Sequence, residues 1–234
     1  MTNEIRIMTS GAFTAAHKEL IPQVERLTGK TVVTVTTSLG TGETSIPNRL
    51  KRGDVVDVVI VADDLLRQLI ADGVVLEAGA KGVARSAIAV AVRAGAPKPD
   101  LSSAEAFKRT LLAAKSVAYS ASVSGKYLTT DVYQRLGIAD EMLPKSRLIT
   151  GGERTGAVVA RGDADLCCQQ TSELLPVEGI AYITPLPPEL QKVSVFSAGV
   201  AASSPDKETA RAVINFLASA EAAPAKTKTG LEPA

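Results

Sequence analysis

Tryptophan is missing from this chain and aromatic residues make up only 3% of it, so a surface that stacks nucleobases or sugar rings has little to stack with. Histidine occurs once, at His17. A histidine-based metal site therefore lacks its ligands, and a Ser/His/Asp relay has no specific partner for its imidazole. The two cysteines, Cys167 and Cys168, are adjacent. Neighbours on a strand point to opposite faces, which disfavours a disulfide between them and leaves reduced, buried thiols as the expectation. Charge of neither sign is in excess: 26 Lys and Arg against 25 Asp and Glu leave a net charge of +1. Neither nucleic acid nor an anionic membrane is accordingly expected as a partner. No apolar run reaches the roughly 18 residues of a membrane span, so no membrane insertion is expected. A Gly-Lys-Ser/Thr phosphate loop is also missing, which argues against nucleotide hydrolysis. The opening MTNEIRIMTSG has neither a basic n-region nor an apolar h-region. The expectation is a cytoplasmic protein as the sequence stands, periplasmic if a leader was removed.

What is present is a Val-, Ala-, Leu- and Ile-rich chain of 234 residues, 45% hydrophobic and 22% charged. That is the make-up of a globular protein with one large domain or two lobes of about 100 residues each. Apolar runs alternate with helical spacing along its length. Strands are expected at 4–8, 31–37, 55–61, 84–93, 115–119, 147–149, 164–170, 181–183 and 193–202. Helices are expected at 12–27 (closed by Gly29), 46–52 (Pro47 in its first turn), 63–72, a stretch capped by Ser102 and running to 113, one before Gly137, 157–161, and a closing helix at 207–217. Alternating strands and helices predict an α/β protein with parallel sheets and right-handed crossovers.

Four of the strand-to-helix turns are short runs of small polar residues: Ser10 and Gly11, residues 38–44, residues 120–125, and residues 152–156. Of these, SASVSG at 120–125 is the densest, with three serines and a glycine ahead of Lys126. The first turn of a helix carries unpaired N–H donors and the positive end of the dipole, so each turn can face an anion. The alternative for any one of them is plain capping, with Ser124 bonding only its own helix. In open α/β sheets ligands sit beyond the carboxyl ends of the strands, where all four turns lie. Together they point to a small anionic ligand and require no cofactor.

Taken in order, MTSGAFTAAHKEL, VTVTTSLG, RGDVVDVVIVADD, RSAIAVAVRAGAPKPD, VAYSASVSG and GAVVARGDADLCCQQTSEL resemble the type II periplasmic-binding-protein fold. The likeness is to its molybdate-binding-protein-like group of ABC-transporter solute-binding proteins, and it extends over nearly the whole chain. It implies two α/β lobes, residues 1–84 plus 194–234 and residues 85–193. Two hinge crossover strands join them, and a small anion is held in the cleft between. It further implies a monomer, with a membrane transporter as partner if the protein is exported. Carried over by position, Ser10 and Gly11 match the first anion-contacting loop, Ser38 and Gly40 the second, Ser120 to Gly125 with Ser124 the third, and Thr155 with Gly156 the fourth. Molybdate binders place a Tyr beside the oxyanion where this chain has Gln169 or Gln170. That departure tells against molybdate, because a neutral amide suits a carboxylate or hydroxyl as well. The stretches SGAFTAA, IPNRL, AYSASVSGKYL and CQQTSELLP are also similar to a branch of the family whose described activity is aconitate isomerisation.

Three functions follow as expectations. The first is a receptor for a small organic di- or tricarboxylate. The alternative is a cofactor-free isomerase of an unsaturated tricarboxylate, and the third is a molybdate or oxyanion-binding transporter component. Lys126 and Arg154 are the candidate carboxylate clamps, the latter with bidentate geometry. An isomerase must also move a proton between carbons, for which Glu43, Glu153 and Tyr119 are the candidates. His17, two turns into the first helix, is the remaining candidate base, but is expected to be a surface or partly buried residue without a role.

Overall fold

The computed structural model describes residues 3–37, 42–150 and 152–234. Along the chain run β1 (Glu4–Thr9), α1 (Gly11–Thr28), β2 (Thr31–Thr34), α2 (Ile46–Lys51), β3 (Val58–Ala62), α3 (Asp63–Ala71) and the 19-residue β4 (Val75–Arg93). There follow α4 (Ala104–Ala113), β5 (Val117–Ser120), α5 (Val123–Tyr127), a π turn at Leu128–Val132, α6 (Tyr133–Leu136), α7 (Ala139–Met142) and β6 (Ser146–Ile149). The remainder is α8 (Thr155–Ala160), β7 (Leu166–Gln170), α9 (Thr171–Leu174), β8 (Ile180–Pro185), β9 (Val193–Ala201), α10 (Lys207–Leu217), α11 (Ala223–Lys228) and β10 (Glu232–Pro233). The architecture is α/β.

Two compact units divide the chain: Met1–Ser86 with Ser194–Ala234, and Ala87–Val193. The chain passes between them within β4 and at the start of β9. In the first unit β1 lies between β2 and β3, parallel to both, and β9 runs antiparallel beside β3. In the second, β5 lies between β6 and β7, parallel to both, and β4 runs antiparallel beside β7. Each unit thus repeats one plan, a three-stranded parallel core closed by an antiparallel strand. Parallel strands need helical crossovers that cover both faces, which is why β3 (VVIVA) and β7 (LCCQQ) are buried along their whole length.

Several local expectations are corrected. α4 is capped by Ser103, whose hydroxyl accepts the Ala106 N–H at 3.1 Å; Ser102 instead bonds Asp100. β4 starts nine residues earlier than expected, at Val75. Its first half contains Gly79 and Gly82 and alternates with exposed polar residues, a composition that weakens the strand signal. The chain does not close on α10, because α11 and β10 follow it. The helix after β5 is interrupted by a π turn in which Thr129 and Thr130 hydroxyls bond the Gly125 and Lys126 carbonyls. Such competition for main-chain acceptors widens a helical turn.

His17 is the clearest correction. It is buried (1% exposed) on the core face of α1, and its Nε2 lies 2.8 Å from Thr34 Oγ1. Burial, helped by Lys18, lowers its pKa to about 4. The folded chain therefore keeps a neutral imidazole where the unfolded chain takes up a proton below about pH 6.5. Between those values the unfolded state binds more protons, so stability falls as pH falls. Urea unfolding should show a loss of about 3 kcal/mol between pH 6.5 and 4, and His17→Gln should remove most of that slope. A slope unchanged in the variant would contradict the assignment.

Candidate functional site

The nominated residues divide between the two units. In the first unit Ser10 is the N-cap of α1, yet its hydroxyl makes no cap bond and is buried with no hydrogen-bond partner among the described residues. Its backbone is engaged: its N–H donates to Ile60 O at 2.8 Å and its carbonyl accepts the Phe13 N–H at 3.1 Å. Gly11 is the first residue of α1, where N–H groups have no intrahelical acceptor. Ser45, which sequence reasoning passed over, is the equivalent at α2: an N-cap whose buried hydroxyl is likewise unpartnered among the described residues. Ser38 and Gly40 lie outside the described residues. Glu43 is exposed in a turn.

The second unit holds the denser group, at the carboxyl ends of β5 and β7. These two strands are parallel neighbours, and alternation places Ser120 and Gln169 on the same face as Ala118 and Cys167. Gln169 Oε1 accepts two hydroxyls, Ser120 Oγ at 3.0 Å and Ser124 Oγ at 3.3 Å. Ser122, the N-cap of α5, joins Ser120 and Ser124 at 2.8 and 3.0 Å, and its hydroxyl caps no main-chain N–H of that helix. Ser124 is therefore inside the helix, bonded to Gln169, and is not a cap. Ser120, Ser124 and Gln169 are buried, and Ser122 is half-buried.

Gly125 makes this approach possible. A Cβ built there would lie 1.9 Å from the Ser120 carbonyl oxygen, so no side chain fits between α5 and the end of β5. Gly156, in α8, is tight by a smaller margin: a methyl group there would meet Val177 and Ile180 side-chain atoms at 3.2 to 3.3 Å. Thr155 opens α8, and its buried hydroxyl lies beside the Cys167 thiol. Gln170 is buried at the end of β7. Lys126 and Arg154 are both exposed, so the two expected clamps stand at the surface of this unit.

Burial raises the Glu173 carboxyl to about 7, against the pull of the Gln169 amide and the Arg154 charge. Sequence reasoning did not nominate this residue, which lies in the first turn of α9. It keeps part of its surface accessible. Because Gln169 Oε1 already accepts two serine hydroxyls, the amide NH2 is the end left to face the carboxylate. Its neighbour Ser172 carries another buried hydroxyl with no partner among the described residues. The available signal was an acid four residues after Gln169, on the turn leaving a strand buried throughout.

The three nominated proton carriers stand elsewhere. Tyr119 points to the opposite face of β5 from Ser120 and packs against the Phe107, Leu128 and Tyr133 cluster. Glu153 is exposed and paired with Arg161 at 2.6 Å. No group of three or more His, Cys, Asp and Glu side chains fit to hold a metal ion occurs among the described residues.

Residues 5–232 match the family model described as bacterial extracellular solute-binding protein. The chain belongs to that family. It is 40% identical over 230 residues to an aconitate isomerase from Pseudomonas sp, covering 98% of this chain and 87% of that protein. Among solved structures it resembles the periplasmic molybdate-binding protein of Azotobacter vinelandii, with a TM-score of 0.76, 18% identity and coverage of 97% and 98% of the two chains. It also resembles the substrate-binding domain of a putative molybdenum ABC transporter from Clostridium difficile, with a TM-score of 0.71, 16% identity and 99% of each chain covered. The fold is that of the periplasmic binding proteins.

Gly125→Ala tests the close approach. Overpacking against main chain should cost about 3 kcal/mol in urea unfolding and weaken ligand binding with it. Unchanged stability would mean that the turn has room it does not show.

Proposed function

We propose that this protein binds a small organic polycarboxylate at the serine-lined end of β5 and β7 and isomerises it when it is an unsaturated tricarboxylate of the aconitate kind. The observation that carries the reading is the 40% identity with an aconitate isomerase over 98% of the chain. Of the two leading expectations, receptor and isomerase, it favours the isomerase and leaves binding as the step both share.

The residues support it in chemical terms. The start of α5 at Val123 supplies main-chain N–H groups beside the serine cluster, whose hydroxyls hold Gln169 and one another in place. Lys126 and Arg154 supply full charges at exposed positions near those elements. A tetrahedral oxyanion is compact and is satisfied by neutral donors alone. A tricarboxylate spreads its charge over several oxygens and gains from charged donors at its ends. Hand-over of the ligand to a membrane transporter belongs to the receptor reading and requires that the protein be exported.

Calorimetric titration with trans-aconitate, cis-aconitate, citrate and molybdate separates the readings. The organic acids should bind more tightly than molybdate, and trans-aconitate should convert to the cis form on incubation. Tightest binding of molybdate would overturn the proposal. Binding of the organic acids without conversion would leave the receptor reading in place of the isomerase.

A further inference from the structure

Resting on the isomerase reading, we infer that Glu173 is the proton carrier, and that Gln169, locked by Ser120 and Ser124, is the positioning residue that aims it. In an aconitate-type acid the methylene carbon and the vinyl carbon flank one central carbon. Isomerisation breaks a C–H bond at the first and forms one at the second. The freed electron pair becomes the new double bond to the central carbon, while the old double-bond pair takes up a proton at the far carbon. A single carboxylate on one face of the acid can accept the first proton and deliver it to the second site. It begins and ends ionised, and no oxidant, reductant or further reactant is needed.

Such a carrier needs three properties. It must be reachable, and Glu173 as a residue is only partly buried, in the first turn of α9. It must be basic enough to take a proton from carbon near neutral pH, and burial brings its carboxyl to about 7. It must also be held in place. Its Gln169 neighbour is fixed by hydroxyls at 3.0 and 3.3 Å, which in turn are tied through Ser122 to the start of α5. A glutamine whose oxygen is occupied twice cannot flip its amide without losing both bonds. The donor end is therefore the one kept toward the carboxylate. Arg154 is the charged group that acts on Glu173 from the start of α8, favouring its ionised form. Tyr119 faces away on β5 and Glu153 is paired with Arg161. Neither offers the same combination.

The test follows conversion of trans-aconitate and, by proton NMR in D2O, exchange of its methylene hydrogens. Glu173→Gln should lower kcat by about 10²- to 10⁴-fold and suppress exchange, while citrate affinity changes by less than about threefold. For the unsubstituted protein, kcat/KM should rise with pH through a midpoint near 7. Gln169→Leu should move that midpoint upward, because the amide favours the ionised carboxyl. A role confined to packing would leave the midpoint where it is. Full turnover in a folded Glu173→Gln variant would overturn the assignment and leave the isomerase reading intact. A midpoint in the ordinary glutamate range, measured on the unsubstituted protein, would overturn it whether or not the variant folds. If the unsubstituted protein neither converts nor exchanges trans-aconitate, the isomerase reading falls and the assignment with it.

Discussion

One side-chain oxygen, Gln169 Oε1, accepts the hydroxyls of Ser120 and Ser124 beside the apolar cluster of Ala118, Cys167 and Leu174. A buried polar group without partners costs about 1–3 kcal/mol, more than a satisfied bond contributes, so each member of this network depends on the others. Ser120 needs Gln169 at the same level of the neighbouring strand, which the parallel pairing of β5 and β7 supplies. Ser124 needs α5 to lie almost on the Ser120 carbonyl, which only Gly125 permits. The amide that results is oriented, and its free end is aimed at Glu173. Sequence, strand register and the character of one carboxyl are connected through that single acceptor.

The first unit uses the same parts with a different outcome. Ser10 and Ser45 stand at helix starts with buried hydroxyls and no partner among the described residues. In the second unit the serine hydroxyls of the 120–125 turn bond one another and a glutamine. Both units place small polar residues beyond the carboxyl ends of parallel strands, the position where open α/β sheets take ligands. Solute binding accords with this plan and with membership of the solute-binding family; the proposed proton transfer needs the added carboxyl, which is found in the second unit.

Much of the fold was legible in the residues. The buried strand VVIVA is an apolar run bounded by turn signals, and the Gly29 stop of α1 has the left-handed geometry that glycine allows. Adjacent Cys167 and Cys168 point to opposite faces, into separate clusters, as alternation requires. The first half of β4 was not legible, because Gly79 and Gly82 dilute its pattern. In the candidate site, the serines of the 120–125 turn announce themselves by composition. Glu173 does not. Its importance comes from the packing of α9 on β7 and β8, a non-local fact that turns an ordinary loop-edge acid into a group with its carboxyl near 7. Conversely, Glu43 and Glu153 sit in the right kind of loop yet are exposed, since loop position alone says nothing about desolvation. His17 was misjudged for the opposite reason: its place on the helical stripe with Phe13, Ala16 and Leu20 is a core position, and Thr34 gives its ring a partner there.

The proposed proton transfer turns on the state of one carboxyl and on whether an anionic ligand reaches it. A ¹³C NMR titration of the Glu173 side-chain carboxyl, without ligand and with saturating citrate, measures both. The expected result is a midpoint near 7 without ligand, and a higher midpoint with citrate, because a nearby negative charge disfavours the ionised form. A midpoint near 4, the ordinary range for glutamate, or a value that citrate leaves unmoved, would contradict it.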